Sequence, residues 1–190
     1  MRKTLLLLLL LFIPLIGRCQ PRGQIVAIDN SVFVVMVNPI IEGCIRVQEK
    51  DNWCWAACIE MIALYSGIHT TQSSIVAKVF GASVNKTASA NEIVQALNGW
   101  NGFKFRKFTN KTTQNFIEEL TYGYPLIVGL SEHAYLLTHI YCTKNANGAL
   151  HLFKVILINP KTGKEEVYDW QDFFFQVNSI ISLSPPVIPP

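Results

Sequence analysis

The sequence predicts an α+β fold in which a helical first half packs against an antiparallel sheet from the second half. Helix patterns with clear start and stop signals occupy residues 53–121. Short runs rich in aliphatic and aromatic residues, separated by turn sequences, occupy residues 125–183. A chain of 190 residues without an internal repeat is most simply one domain.

The first 19 residues are expected to be a secretory signal peptide, with a retained anchor as the alternative. Basic Arg2 and Lys3 precede an apolar run over 5–16, which is shorter than the roughly 20 residues that span a membrane. Cleavage is expected after Cys19. The signal holds three of the 16 basic residues and no acidic ones, which leaves 13 basic against 13 acidic residues. We therefore expect a secreted or periplasmic protein with no stable membrane anchor and no affinity for nucleic acid.

Residues 20–43 are either an N-terminal strand segment or a short propeptide. The part over 25–41 is rich in Val and Ile and predicts one or two strands, split near Asp29-Asn30. The segment is short for a large inhibitory prodomain, which favours its membership of the fold.

Four helices are predicted in the first half from their boundary signals. The first is expected to be buried, capped by Asp51 or Asn52 and stopped by Gly67, and the third opens on a capping box, Ser89-Ala-Asn-Glu92. The predicted ranges are 53–66, 71–80, 89–98 and 113–121.

The remaining strands are predicted from runs of apolar residues bounded by turns. The turn at 144–148 joins two long strands into a hairpin, and residues 170–175 form an aromatic turn or a short helix. A Pro-rich tail follows over 184–190. The predicted strands cover 103–108, 125–130, 133–143, 149–159, 165–168 and 178–183.

The most distinctive stretch is Trp53-Cys54-Trp55, where a polar loop enters the first helix. A thiol at a helix N-terminus lies at the positive end of the helix dipole, which favours the thiolate, the nucleophilic form. Cys54 is therefore the candidate nucleophile.

A cysteine nucleophile needs a base, and the base needs a group that orients it. If the hairpin turn is centred on Ala146, His133 lies opposite Asn159, and cross-strand partners are about 5 Å apart. The other two strand histidines then face aromatic residues, and the fourth histidine follows Gly67 in a solvated loop. His133 is therefore the candidate base and Asn159 its orienting residue. The four histidines are His69, His133, His139 and His151.

Attack on a carbonyl also requires donors for the oxyanion. The backbone N–H of Cys54 is one candidate. Gln48, six residues earlier, is the other, because a polar turn lets its side-chain amide fold back toward the thiol.

Three further cysteines remain after the signal, Cys44, Cys58 and Cys142. An oxidising compartment permits one disulfide among them, and the sequence leaves its pairing open. Cys58 lies one helical turn from Cys54, which is poor geometry for a bridge between the two. The spacing matches no zinc motif and no cofactor motif is present, so neither a metal nor a cofactor is expected.

These residues resemble those of papain-like cysteine peptidases. Gln48 followed by Cys54-Trp55-Ala56 resembles the family's glutamine and Cys-Trp-Ala motif. The longer string resembles a bacterial secreted branch with avirulence-type effector peptidases, which also carries His-Ala, here His133-Ala134, and then Asp-Pro or Asn-Pro, here Asn159-Pro160. The resemblance covers about residues 44–183, the predicted peptidase domain.

The resemblance implies a papain-like fold with the active-site cleft between a helical half and a sheet half. It implies hydrolysis of a protein or peptide substrate through an acyl-enzyme on Cys54. His133 would act as base and then acid, Asn159 as orienter and Gln48 as oxyanion donor. The chain departs from the branch at Glu132, where Gly is usual, and Trp170 would have to shield the orienting amide.

Two other functions stay open at this point. A related Cys-His amidase or acyltransferase would share the same chemistry and differ in its cleft. A non-catalytic secreted binding module on the same scaffold would lack a reactive thiol. A monomer is expected in each case.

Overall fold

The computed structural model describes residues 23–184. The predicted signal peptide and the tail beyond Ser184 lie outside these residues. Within the described range, no helix has the length and apolar character needed to cross a bilayer.

The described residues form five α-helices and eight strands, and the predicted α+β class is confirmed. The helices are α1 (Cys54–Tyr65), α2 (Gln72–Phe80), α3 (Ala90–Leu97), α4 (Thr113–Thr121) and α5 (Trp170–Gln176). The strands are β1 (Gln24–Ala27), β2 (Val32–Met36), β3 (Lys104–Lys107), β4 (Leu126–Leu130), β5 (His133–Lys144), β6 (Leu150–Asn159), β7 (Lys164–Asp169) and β8 (Val177–Ser184).

The sheet is antiparallel at every pairing and is organised around β5. Along one path the order is β1-β2-β5-β4-β8-β3, while β6 pairs with β5 and then with β7. The 12-residue β5 therefore pairs with three strands. Its first residue, His133, lies at the end of the sheet that meets the helical half.

Helix α1 is the centre of the helical half. Its residues are almost all buried because α2 covers one side and β5 the other, as expected for a helix that is apolar on all faces. The predicted stop is confirmed, since Gly67 takes a left-handed conformation with φ 75°. The predicted cap is wrong: the cap residue is Trp53, without a side-chain capping bond, and neither Asp51 nor Asn52 takes that place.

The other helices begin and end where their signals indicate. Thr71 caps α2, and Gly81 ends it in a left-handed conformation. The predicted capping box of α3 is present, with reciprocal bonds between Ser89 and Glu92. The aromatic stretch over 170–175 forms α5, which Asp169 caps.

The N-terminal segment forms two strands, and they separate at Asp29-Asn30 as predicted. Strand β2 pairs with β5 and buries Val34 and Val35. The expectation of strand up to residue 41 is wrong, because Pro39–Cys44 is a 3-10 helix. A proline has no N–H for the ladder, so the strand ends before Pro39.

The predicted register of the β5–β6 hairpin is also wrong. His139 pairs with Ile156 and Tyr141 with Lys154, and the register shifts twice along the hairpin. Lys144 pairs with Leu150 beside the turn, so the turn is centred on Asn147 instead of Ala146, and this moves the pairing by two residues. The two shifts, which resemble β-bulges, cancel before Leu137 pairs with Leu157.

A buried polar side chain on α2 supports the loop that leads into α1. Gln72 is 1% exposed, and its amide nitrogen donates to the Val47 carbonyl and to Glu60, both at 2.9 Å. Its amide oxygen accepts from the Glu49 N–H at 2.8 Å. Both ends of the amide are satisfied, so the approach to Cys54 is fixed by α2 as well as by α1.

Candidate active site

A cleft of about 790 Å³ separates the helical half from the sheet. One wall comprises Cys54, Trp55 and the segment 86–92, which ends in the first turn of α3. The opposite wall includes residues 131–134 at the start of β5, with Gly129 of β4 beside them. The first residue of α1 and the first residue of β5 thus face the same cavity.

Cys54 lies at the start of α1, as predicted, and is 5% exposed. The backbone N–H of Ala134 points at its sulfur, at 3.5 Å. The two flanking indoles hold this end of the helix to the cleft wall, since Trp53 donates to the Val84 carbonyl at 2.8 Å and Trp55 to that of Lys86 at 3.3 Å. The thiol is therefore fixed in position within the cleft.

His133 and Asn159 are in direct contact. His133 Nε2 lies 2.9 Å from Asn159 Oδ1, and because an amide oxygen only accepts, Nε2 carries the proton. Leu136 pairs with Ile158, so Asn159 comes level with a residue two positions beyond His133, on the same face. Diagonal neighbours of this kind are within reach of each other's side chains, so His133 and Asn159 are in contact although they are not directly opposite each other as predicted.

The thiol and the imidazole shift each other's protonation. Burial raises the pKa of Cys54, but the hydrogen bond with His133, the Ala134 N–H and the imidazolium charge outweigh it, so the pKa lies below its usual value. The hydrogen bond with Cys54 raises the pKa of His133, and the bond to Asn159 adds to this against the effect of burial. Both shifts favour a thiolate–imidazolium pair. Since Nε2 is bonded to Asn159, the nitrogen that meets the sulfur is Nδ1.

Asn159 is held by more partners than sequence analysis identified. Its Oδ1 also accepts from the Lys161 N–H at 2.8 Å, and its Nδ2 donates to Glu166 Oε1 at 2.6 Å. Tyr168 donates to Glu166 Oε2 at 3.0 Å. The turn at residues 161–163 was recognisable, and pairing the strands across it would have placed Glu166 diagonal to Asn159.

A family model for the papain-like cysteine protease AvrRpt2 matches residues 40–170, more than half of the chain. The chain belongs to this family. It is a papain-like cysteine peptidase, as its Cys-Trp-Ala motif indicates, and the prediction of an enzyme is confirmed.

A solved structure with the same architecture is the peptidase domain of Streptococcus ComA, a bifunctional ABC transporter involved in a quorum-sensing pathway. The TM-score is 0.52 at 18% identity, and the match covers 74% of this chain and 96% of that domain. At this identity, the likeness supports the fold alone. A comparison with curated protein sequences finds no match.

Gln48 of the peptidase does not line the cleft. Its Nε2 donates to the carbonyls of Lys50 and Asp51, at 2.9 and 2.8 Å, while its Oε1 is buried without a hydrogen-bond partner. Both N–H groups are therefore engaged in the loop before α1. The role of Gln48 as oxyanion donor stays a prediction, and it requires the amide to turn.

The other histidines of the peptidase lie away from the thiol. His139 contacts Thr138 Oγ1 through Nδ1 at 2.8 Å, and burial lowers the pKa of its imidazole. His69 and His151 are exposed. Trp170 packs against Phe116 and the rings of its own helix, whereas Tyr168 is linked to Asn159 through Glu166.

Cys54 differs from the other described thiols of the peptidase. Burial raises the pKa of Cys44, Cys58 and Cys142, whereas that of Cys54 is lowered. No disulfide joins Cys54, Cys58 or Cys142 to another residue. A search of residues 23–184 finds no group of three or more His, Cys, Asp or Glu side chains placed to hold a metal ion.

Proposed function

We propose that this peptidase hydrolyses peptide bonds through an acyl-enzyme on Cys54, with His133 as base and acid and Asn159 as its orienting residue. The observation that carries the proposal is the line of contacts from Cys54 through His133 to Asn159, with pKa shifts of opposite direction in the thiol and the imidazole. Such a pair supplies a thiolate nucleophile and a proton donor at the same pH.

In the first half of the reaction, the Cys54 thiolate attacks the substrate carbonyl carbon and the carbonyl oxygen becomes an oxyanion. The backbone N–H of Cys54, at the start of α1, donates to that oxygen. Gln48 becomes the second donor when its amide turns from the loop carbonyls. His133 then gives its Nδ1 proton to the leaving amine as the C–N bond breaks, which leaves a thioester on Cys54.

In the second half, a water molecule enters the cleft and attacks the thioester carbon. Neutral His133 takes the proton from the water through Nδ1, while Nε2 keeps its bond to Asn159. Collapse of the tetrahedral intermediate releases the carboxylic acid and restores the thiolate–imidazolium pair. A related amidase or acyltransferase would use the same first half and differ only in the acceptor or in the cleft.

The proposed substrate is a protein or peptide in an extended conformation that enters between the two cleft walls. Proposed secretion to the periplasm or beyond is supported by the N-terminal sequence, with its basic start and apolar run. The exported protein is expected to begin at Gln20, and N-terminal sequencing of the secreted product tests this. An N-terminal residue at Met1 would contradict it.

The reactivity of Cys54 toward iodoacetamide at pH 6 tests the proposed function. A lowered pKa raises the fraction of thiolate, the form that iodoacetamide alkylates, so Cys54 is expected to be alkylated faster than the thiol of glutathione. Mass mapping after brief labelling should place the label on Cys54 ahead of Cys142. Cys54→Ser is the blank for this experiment.

A separate sample that has not been treated with iodoacetamide is incubated with a mixed peptide library derived from a protein digest. New peptide termini are expected with the native protein and not with Cys54→Ser. If Cys54 is alkylated no faster than glutathione, the acyl-enzyme proposal is wrong. If it reacts rapidly but produces no new termini while transferring or removing an amide group, the amidase or acyltransferase alternative is supported.

A further inference from the structure

The Asn159 amide has only one orientation that satisfies its neighbours. Its Oδ1 accepts from two donors, His133 Nε2 at 2.9 Å and the Lys161 N–H at 2.8 Å. Its Nδ2 faces the carboxylate of Glu166 at 2.6 Å. A flipped amide would place its NH₂ group against two donors and its oxygen against a carboxylate, so three contacts would become repulsive at once.

Glu166 is itself fixed from the side away from the cleft. It lies on β7, opposite Leu157 of β6 and diagonal to Asn159. Its second oxygen accepts from the Tyr168 hydroxyl at 3.0 Å. The Tyr168 ring packs against that of Tyr135 with centroids 6.1 Å apart. Burial raises the pKa of Tyr168, so the phenol stays protonated and remains a donor to Glu166.

We propose that Glu166, held by Tyr168, is a positioning residue that sets the orientation of the Asn159 amide and, through it, the tautomer of His133. This inference rests on the proposed function. With the Asn159 oxygen directed at Nε2, that nitrogen keeps its proton. Nδ1, which faces Cys54, is then the nitrogen that gains and loses a proton during the reaction. Glu166 does not touch the substrate or the sulfur; it acts through the amide.

Several groups around His133 contribute to its pKa, and therefore to the pH–rate profile of the enzyme. Cys54 raises the pKa of the imidazole from α1, Asn159 raises it from β6, and the charge of Lys161 lowers it from the turn after β6. Glu132 precedes it on the cleft wall and Tyr135 packs against its ring, with centroids 4.7 Å apart. Freeing the Asn159 amide removes one of the interactions that raise the pKa of His133, so the imidazolium should lose its proton at lower pH.

The main test compares Glu166→Met with Glu166→Gln. Methionine keeps the length of the side chain but removes the acceptor, and kcat is expected to fall roughly tenfold or more, as for other residues that orient a reactive group from behind, with KM little changed. The alkaline limb of the pH–rate profile should move to lower pH. Glutamine keeps an acceptor for Asn159 Nδ2 and should restore most of the rate. Tyr168→Phe should give a smaller loss in the same direction.

The matched control is Glu165→Met, because Glu165 is the preceding residue of β7, is exposed and carries the same charge. It is expected to behave as the native protein. Glu166→Ala provides a second variant if methionine disturbs folding, which thermal unfolding monitors. In an Asn159→Ala background, Glu166→Met should have no further effect, since the inferred action passes through that amide.

Iodoacetamide labelling of Cys54 across pH separates the two proposals. If the native protein shows no peptide hydrolysis, the proposed function fails, but the labelling experiment still tests Glu166. The pH at which the labelling rate of Cys54 rises should be higher in Glu166→Met than in the native protein, and it should be unchanged in Glu165→Met. If the kcat and both pH profiles of Glu166→Met equal those of Glu165→Met, the positioning role is overturned. The positioning role is also overturned if Glu166→Met lowers kcat as much in the Asn159→Ala background as it does in the native protein.

Discussion

Replacing Cys54 by alanine is expected to abolish peptide hydrolysis, with a loss of at least roughly 10⁴-fold in kcat, because no acyl-enzyme can form. The substitution removes one sulfur atom from a side chain that is 5% exposed, and α1 should be unaffected. Cys54→Ser is expected to be nearly as inactive, since its hydroxyl is far less acidic than the thiol. Initial rates with the mixed peptide library measure the effect.

Cys142→Ala is the matched control for the loss of a buried thiol. Cys142 lies on β5 and is 1% exposed, and its substitution is expected to reduce stability slightly while leaving kcat within a few-fold of native. Circular dichroism and thermal unfolding of both variants check the fold. Hydrolysis by Cys54→Ala at the native rate would place the reaction at another site.

Replacing His133 by alanine is expected to cost roughly 10³-fold or more in kcat, because the leaving amine then lacks its acid and the thiol its base. The pH dependence of iodoacetamide labelling should change as well. In the native protein, the lowered pKa of Cys54 gives a larger thiolate fraction at a given pH than an ordinary thiol has. Without His133, its hydrogen bond and its charge no longer offset the effect of burial, so the pKa of Cys54 should rise relative to the native protein and labelling should require a higher pH.

His151→Ala is the control for this experiment, since His151 is an exposed strand residue on β6. Its labelling profile and kcat should match those of the native protein. Labelling rates at pH 6 and pH 9 decide the outcome. If His133→Ala reacts at pH 6 as fast as native protein, another group activates the thiol.

Most of the helix boundaries could be predicted from residues close to them in the sequence. The start of α1 at Cys54 follows from a polar loop meeting a run of small and apolar residues, and α2 and α3 follow from their caps and stops. These features depend on neighbouring residues, so no long-range information is needed. The cap of α1 was the exception, because the indole side chain of Trp53 is held by the Val84 carbonyl and the loop takes its shape from that contact.

Pairing between strands was harder to predict, since the turn of the β5–β6 hairpin is centred on Asn147, one residue later than predicted, which offsets the pairing near the site by two residues. The contact of His133 with Asn159 is nevertheless present, because a shift of two residues keeps both side chains on the same face. Glu166 escaped notice because charged strand residues usually face solvent. The orientation of Gln48 depends on the carbonyls of its own loop, which no residue pattern specifies.

The place of β2 in the sheet has a consequence for maturation. Val34 and Val35 belong to the core, and β2 lies between β1 and the second half of β5. A zymogen that matured by discarding this segment would leave a bare row of N–H and C=O groups along β5, the kind of edge that recruits other chains into aggregates. We therefore expect β2 to remain part of the mature enzyme, where it covers the second half of β5.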